Sequence, residues 1–312
     1  MEEWLRSLVP WGTAVILRVQ SHSSPWLDTG AKFFTYLGYE ELYLILLPFV
    51  YWCVHKQVGI GLGYIAMLSA WTNSFIKNLF KIPRPSDPAL RVPLPETSPS
   101  FPSGHAQSAV TNWGYLALHL GRPFGWAIAA VLILGIGLSR IVLGVHFPED
   151  VIGGWIIGLV LLAVYTPLAP VVGRWTIRQK VPVQVALAVG VPLALIFLHP
   201  SDPGGLYPAE SATKTMSALI GMGVGVLMER AWVRFQAAGP WGRRLLRFLV
   251  GVVIVMTVYA LPKLIVPEGL SYGAETAIRL IRYVLLGWVV AFGCPWLFVR
   301  LKLADRNNDL DP

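Results

Sequence analysis

Three groups of polar residues interrupt otherwise apolar stretches of the chain, at positions that ordinary membrane or core packing would not select. Lys77 is followed after six residues by Arg84-Pro85, Pro102-Ser103-Gly104-His105 closes a proline-rich segment, and Ser139-Arg140 precedes His146 and, four residues later, Asp150. Each has an ordinary reading when taken alone. Lys77 would snorkel from a helix end, Ser103 would cap a helix, and Asp150 after Pro148 would complement a helix dipole. Together they form a complete set of parts for phosphoryl transfer. Lys77, Arg84 and Arg140 are fixed cations for the equatorial oxygens of a phosphoryl group. A Ser103-Gly104 turn opening a helix adds backbone donors and the positive end of a dipole, with Gly104 permitting close backbone approach. His146 and Asp150 suit a nucleophile and the carboxylate that orients it. His105 stands ready to protonate a leaving oxygen.

The elements that must position these residues are apolar helices. Runs of about 20 apolar residues, the length a bilayer requires, are expected at 42–55, 58–80, 105–120, 124–143, 149–172, 181–199, 211–232, 245–265 and 278–299, about nine spans. The 312 residues are 55% hydrophobic and only 13% charged, with a mean hydropathy of +0.59, too little polar surface for a water-soluble globule of this size. The net charge of +8 is dispersed in short clusters between apolar runs, which argues against a nucleic-acid face. Cys53 and Cys294 sit inside apolar stretches and imply no disulfide framework. The N-terminus lacks a basic start and a small-residue cleavage site, so the first helix is expected to be retained.

Charge counting orients the helices. Lys56, Arg122, Arg174, Arg178, Lys180, Arg230, Arg234, Arg243, Arg244, Arg300, Lys302 and Arg306 fall on one side, expected to be cytoplasmic together with the C-terminus. All three polar groups fall on the other side, with the 81–103 loop. Glu210, Lys214, Lys263 and Glu268 share that side, where interfacial charge is their default role. Long ordered loops without secondary structure tend to be functional, and 81–103 is the longest non-helical connection among the first five spans.

The motifs Lys77-x6-Arg84-Pro85, Pro102-Ser103-Gly104-His105 and Ser139-Arg140-x5-His146-x3-Asp150 resemble those of the phosphatidic acid phosphatase type 2 superfamily. The resemblance covers about residues 42–173. It implies an all-α polytopic transmembrane bundle with 1–41 as interfacial amphipathic helices, 42–173 as catalytic core and 174–312 as additional C-terminal spans. It further implies a phosphohistidine on His146, His105 as general acid, Asp150 supporting His146, and Lys77, Arg84, Ser103, Gly104 and Arg140 holding phosphate. No cofactor and no metal is expected, since the carboxylates near the motifs, Asp87, Glu96, Glu149 and Asp150, do not suggest a magnesium site. The layout of the extra helices is similar to that of glucose-6-phosphatase and the sphingosine-phosphate phosphatases. The expected substrate is a lipid phosphate monoester or diphosphate: undecaprenyl diphosphate, phosphatidate or a sphingoid phosphate. A sugar-phosphate phosphatase, a lipid phosphotransferase and a non-catalytic lipid transporter are the alternatives. The expected location is a bacterial inner membrane with the site facing the periplasm.

Overall fold

A computed structural model describes residues 2–121, 123–265 and 269–307. Arg122 and Glu268 lie outside the described residues, as does the side chain of Lys263. The described residues form twelve α-helices in the order α1 (Glu2–Gln20), α2 (Pro25–Tyr36), α3 (Glu40–Phe49), α4 (Lys56–Phe80), α5 (Gly104–Leu120), α6 (Pro123–Val142), α7 (Pro148–Ile177), α8 (Val181–Leu198), α9 (Glu210–Met228), α10 (Trp241–Ile265), α11 (Tyr272–Trp288) and α12 (Cys294–Arg300). π-helical turns at Val50–Val54, Glu229–Val233 and Val289–Gly293 extend α3, extend α9 and join α11 to α12. Helix starts follow local chemistry. Ser24, Ser103 and Ser271 each accept a backbone hydrogen bond from the first turn of α2, α5 and α11. Gly121, at φ +60°, ends α5 in the left-handed region.

This is an integral membrane protein of helical type. Among the described residues, six helices are long and apolar enough to cross a bilayer: Pro123–Val142, Pro148–Ile177, Val181–Leu198, Glu210–Val233, Trp241–Leu261 and Tyr272–Arg300. A seventh arises if the bent pair Pro25–Tyr36 and Glu40–Val54, at 51°, is one span. The expected count of nine exceeds this because α4 and α5 fall short. At 17 residues α5 is short, and the two helices carry buried Ser69, Asn73, Lys77, Gln107, Thr111 and Asn112. Those polar groups dilute the apolar signal that length and composition read.

The chain divides into two compact units. The first comprises Met1–Tyr43, Leu68–Ala169 and Pro200–Leu206. Within it α6 packs against α1, α2 and α5. Gly154 and Gly158, one turn apart on α7, let that helix lie directly on α5. A Cβ at Gly154 would stand 2.6 Å from the Ser103 carbonyl, and one at Gly158 2.9 Å from that of Gln107. This small-residue face brings the start of α7 against the start of α5.

The second unit comprises Leu44–Met67, Pro170–His199 and Tyr207–Pro312. Its core gathers Tyr51, Trp52, Cys53, Val233, Phe235, Val255, Leu286 and Phe298. Arg247, fully buried, donates to the carbonyls of Gln236, Ala237, Ala238 and Leu303. Lys56 pairs with buried Glu229 at 2.6 Å, and Glu229 also accepts the Phe235 amide at 2.8 Å.

Candidate active site

All eight candidate residues lie in the first unit, at the ends of four helices and in the loops beside them. Lys77 is in the last turn of α4 and Arg140 in the last turn of α6. His146 sits on the tight turn between α6 and α7. That turn folds back on the end of α6, with the Val145 and His146 amides both donating to the Arg140 carbonyl at 3.1 and 3.3 Å. Gly144 makes it possible, at φ +66° with the Arg91 carbonyl 2.9 Å from where a Cβ would be. His146 and Asp150 are therefore both buried, each 1% exposed.

The partners of His146 define its tautomer. Its Nδ1 lies 3.2 Å from Asp150 Oδ2 and its Nε2 lies 3.1 Å from Nη1 of Arg84. A guanidinium only donates and a carboxylate accepts, so the proton is on Nδ1 and the Nε2 lone pair points toward Arg84. Burial first, then the charges of Arg84, Lys77 and Arg140, hold the imidazole well below the usual histidine value, so the neutral ring persists into acid. Asp150 Oδ2 is fixed in turn by the Phe147 amide at 2.8 Å and by the Ser100 hydroxyl. Asp150 thus caps its own helix and orients His146 with one oxygen.

The cations converge on the same place. Arg84 donates to the carbonyls of Ser98 and Val145, both at 2.7 Å, to Ser98 Oγ at 3.0 Å and to Glu96 at 2.6 Å. Lys77 donates to Ser98 Oγ at 3.2 Å and to the Pro99 carbonyl. Arg140, with no exposed surface, donates to Thr35 Oγ1 and to Glu96. Ser103 also serves the local structure: its hydroxyl accepts from the Ala106 amide at 3.4 Å, capping α5, and its own amide donates to the Asp150 carbonyl at 2.9 Å; accepting in the cap leaves the hydroxyl proton to donate. The first-turn amides of Gly104 and His105 have no acceptor within the helix, as at any helix start. The His105 ring is clamped by Tyr39, ring centroids 5.1 Å apart, and by Gly38, where a Cβ would stand 2.6 Å from Cδ2. Its Nε2 is buried and has no hydrogen-bond partner among the described residues.

Several residues of this network carry no motif. Thr35, Gly38 and Tyr39 come from α2 and the turn after it, far away in sequence. Glu96, Ser98 and Ser100 come from the proline-rich loop, whose length and prolines were its only signal. Asn73 lies one turn before Lys77 on α4. It donates to the Pro102 carbonyl at 3.2 Å and to Gln107 at 2.9 Å, while Gln107 donates to the Ser69 carbonyl at 2.8 Å. This buried relay fixes α4 to the start of α5.

A family model described as PAP2 superfamily matches residues 59–174, and one described as PAP2 superfamily phosphatase, transmembrane extension, matches residues 213–306. Phosphatidylglycerophosphatase B of Bacillus subtilis is 32% identical over 168 residues, covering 47% of this chain and 75% of that protein. This chain belongs to the PAP2 superfamily. It is a membrane phosphatase of the lipid phosphate type. A probable sphingosine-1-phosphate phosphatase of Dictyostelium discoideum is 25% identical over 311 residues, covering 94% of this chain and 73% of that protein. Decaprenylphosphoryl-5-phosphoribose phosphatase of Mycobacterium tuberculosis is 41% identical over 106 residues, covering 34% of this chain and 56% of that protein. The PAP2 match spans every candidate from Lys77 to Asp150 and excludes Thr35, Gly38 and Tyr39, so α2 and the turn after it, which close on Arg140 and His105, lie outside it.

Proposed function

We propose that this PAP2 phosphatase hydrolyses a lipid phosphate monoester or diphosphate by way of a phosphohistidine on His146, without a metal. The observation that carries the proposal is the His146 environment: a buried neutral imidazole, its Nδ1 proton on Asp150 and its Nε2 lone pair among three cations. Lys77, Arg84 and Arg140 bind the phosphoryl oxygens, helped by the Ser103 hydroxyl and by the Gly104 and His105 amides at the positive end of α5. Nε2 attacks phosphorus as the bond to the alcohol oxygen breaks, and His105 gives that oxygen its proton. His146 becomes cationic, and Asp150, held by Ser100 and the Phe147 amide, stabilises the charge. Water then attacks phosphorus, His105 takes its proton, and the P–N bond breaks to regenerate His146. The three fixed cations take the charge-neutralising role that a divalent ion fills elsewhere.

A sphingoid-type phosphate is the first substrate to test, because the match to the Dictyostelium protein runs through the C-terminal helices as well as the core. Undecaprenyl diphosphate and phosphatidate follow. On this reading 42–173 is the catalytic core, 1–41 covers it and 174–312 adds spans. The site faces away from the cytoplasm and the C-terminus lies inside, in a bacterial host the inner membrane with the site toward the periplasm. Thiol labelling of a cysteine introduced into the 81–103 loop from the cytoplasmic side would overturn that orientation.

The deciding experiment is phosphate release by the purified protein in detergent with chelator, across a sphingoid phosphate, phosphatidate, undecaprenyl diphosphate and glucose 6-phosphate, each beside His146→Ala. Chelator-resistant release that falls by about 10³-fold or more in the variant is expected. Retained release by His146→Ala, or loss of release on chelation, refutes the mechanism.

A further inference from the structure

The segment Glu96 to Ser100 threads directly over the cations that the proposed mechanism assigns to phosphate. Glu96 is the centre of this arrangement. One carboxylate oxygen sits 2.6 Å from Nη2 of Arg84 and the other contacts Nη2 of Arg140. Ser98 and Pro99 supply further oxygens to Lys77 and Arg84. A planar carboxylate bridging two guanidiniums reproduces the geometry in which two oxygens of a phosphoryl group would be held. The Arg140 side chain has no exposed surface whereas Glu96 keeps 27%. Leaving Arg140 unpaired would be costly, but returning Glu96 to water is not.

We propose that Glu96 is an internal competitor for the phosphate site: its carboxylate neutralises Arg84 and Arg140 in the resting enzyme, is displaced by the phosphoryl group of the substrate, and returns to expel inorganic phosphate. Binding is then an exchange of one anion for another. A dianionic phosphate monoester offers more charge than the carboxylate it replaces, whereas a diester with a single charge gains nothing from the exchange. The same exchange keeps the product from lingering on the three cations. Glu96 acts through the arginines and touches no reacting atom, so it is a positioning residue.

This inference rests on Arg84 and Arg140 being phosphate ligands, and the test separates the two. Chelator-resistant turnover of a lipid phosphate is measured for the wild type and Glu96→Gln with inorganic phosphate and orthovanadate as inhibitors. In Glu96→Gln both inhibition constants and KM are expected to fall, the inhibition constants by about tenfold, the scale of removing one competing charge-assisted pair. The value of kcat is expected to hold or to fall as phosphate release slows. A purely structural role would lower kcat and leave the anions no tighter. Inhibition constants that are unchanged or raised overturn the inference while leaving the mechanism standing; a wild type indifferent to both anions overturns the phosphate-ligand reading itself. Should Glu96→Gln fail to fold, Glu96→Asp decides. Its shorter carboxylate spans the two guanidiniums less well, and the same direction of change is expected at smaller size, with no tightening again overturning the inference.

Discussion

Both units of the molecule bury arginine, and they close its charge in opposite ways. In the second unit Arg247 is surrounded by backbone carbonyls of Gln236, Ala237, Ala238 and Leu303, groups that cannot leave without unfolding the chain. In the first unit Arg140 and Arg84 meet side-chain oxygens of Thr35, Ser98 and Glu96, and the Glu96 carboxylate is partly exposed. Arg84 combines both, holding the Val145 and Ser98 carbonyls with one part of its fork while leaving the rest to side chains. A buried cation closed by backbone is a staple, and one closed by a partly exposed side-chain anion is the proposed binding site. Burial alone does not distinguish them; the partners do.

Substituting the two arginines is the sharpest way to break this comparison. Arg140→Ala is expected to cost about 10²–10³-fold in kcat/KM with a modest change in melting temperature, the size of losing one preorganised charge contact to the transition state. Arg247→Ala should do the reverse, destabilising by about 1–3 kcal/mol for each buried carbonyl left without its donor, with near-normal kcat for the fraction that folds. Thermal melts and turnover on the same preparations check both, and equal effects on both readouts would dissolve the distinction.

A smaller effect tests the other histidine. His105→Ala should lose about 10²-fold of kcat with an aliphatic lipid phosphate but far less with an aryl phosphate whose leaving group departs without a proton. Comparing kcat on the two substrate classes measures it, and equal losses would remove His105 from the acid role.

The subtlest effect is on pH. Burial comes first and Arg84 next in holding His146 below the ordinary histidine value. Activity that needs the neutral ring should therefore survive on acidification below about 6.5, the unperturbed value, and fail only at lower pH. Arg84→Gln removes the largest of the charges, which raises the His146 value and moves the acid limb of kcat/KM to higher pH. A limb that stays put or moves further into acid contradicts the assignment.

How far the site was legible depends on where each residue sits. Lys77, Arg84, His105, Arg140, His146 and Asp150 could be named because ionisable side chains stand out against the apolar runs that flank them. Ser103 could be named too, and its hydroxyl accepts the cap bond of α5 while its amide donates to the Asp150 carbonyl. Asn73, Gln107 and Ser69 were missed since isolated amides and hydroxyls on a helix read as tolerated polar positions. Thr35, Gly38 and Tyr39 gave no signal, because their partners are about 66 to 105 residues away and only folding brings them near.

The helix order and most helix limits were set by local features that need no tertiary context: apolar runs, serine caps and proline-glycine punctuation. The count of spans was not, because α4 and α5 trade apolarity for the polar residues that support the site. What the tertiary structure alone decided is which charges meet one another. Glu96 is one carboxylate in a proline-rich loop until α4, α6 and that loop converge, and its meaning comes from the two guanidiniums placed on either side of it. Local sequence dictates backbone conformation through short-range sterics and hydrogen bonds, whereas the state of a buried charge depends on every dipole and ion packed around it.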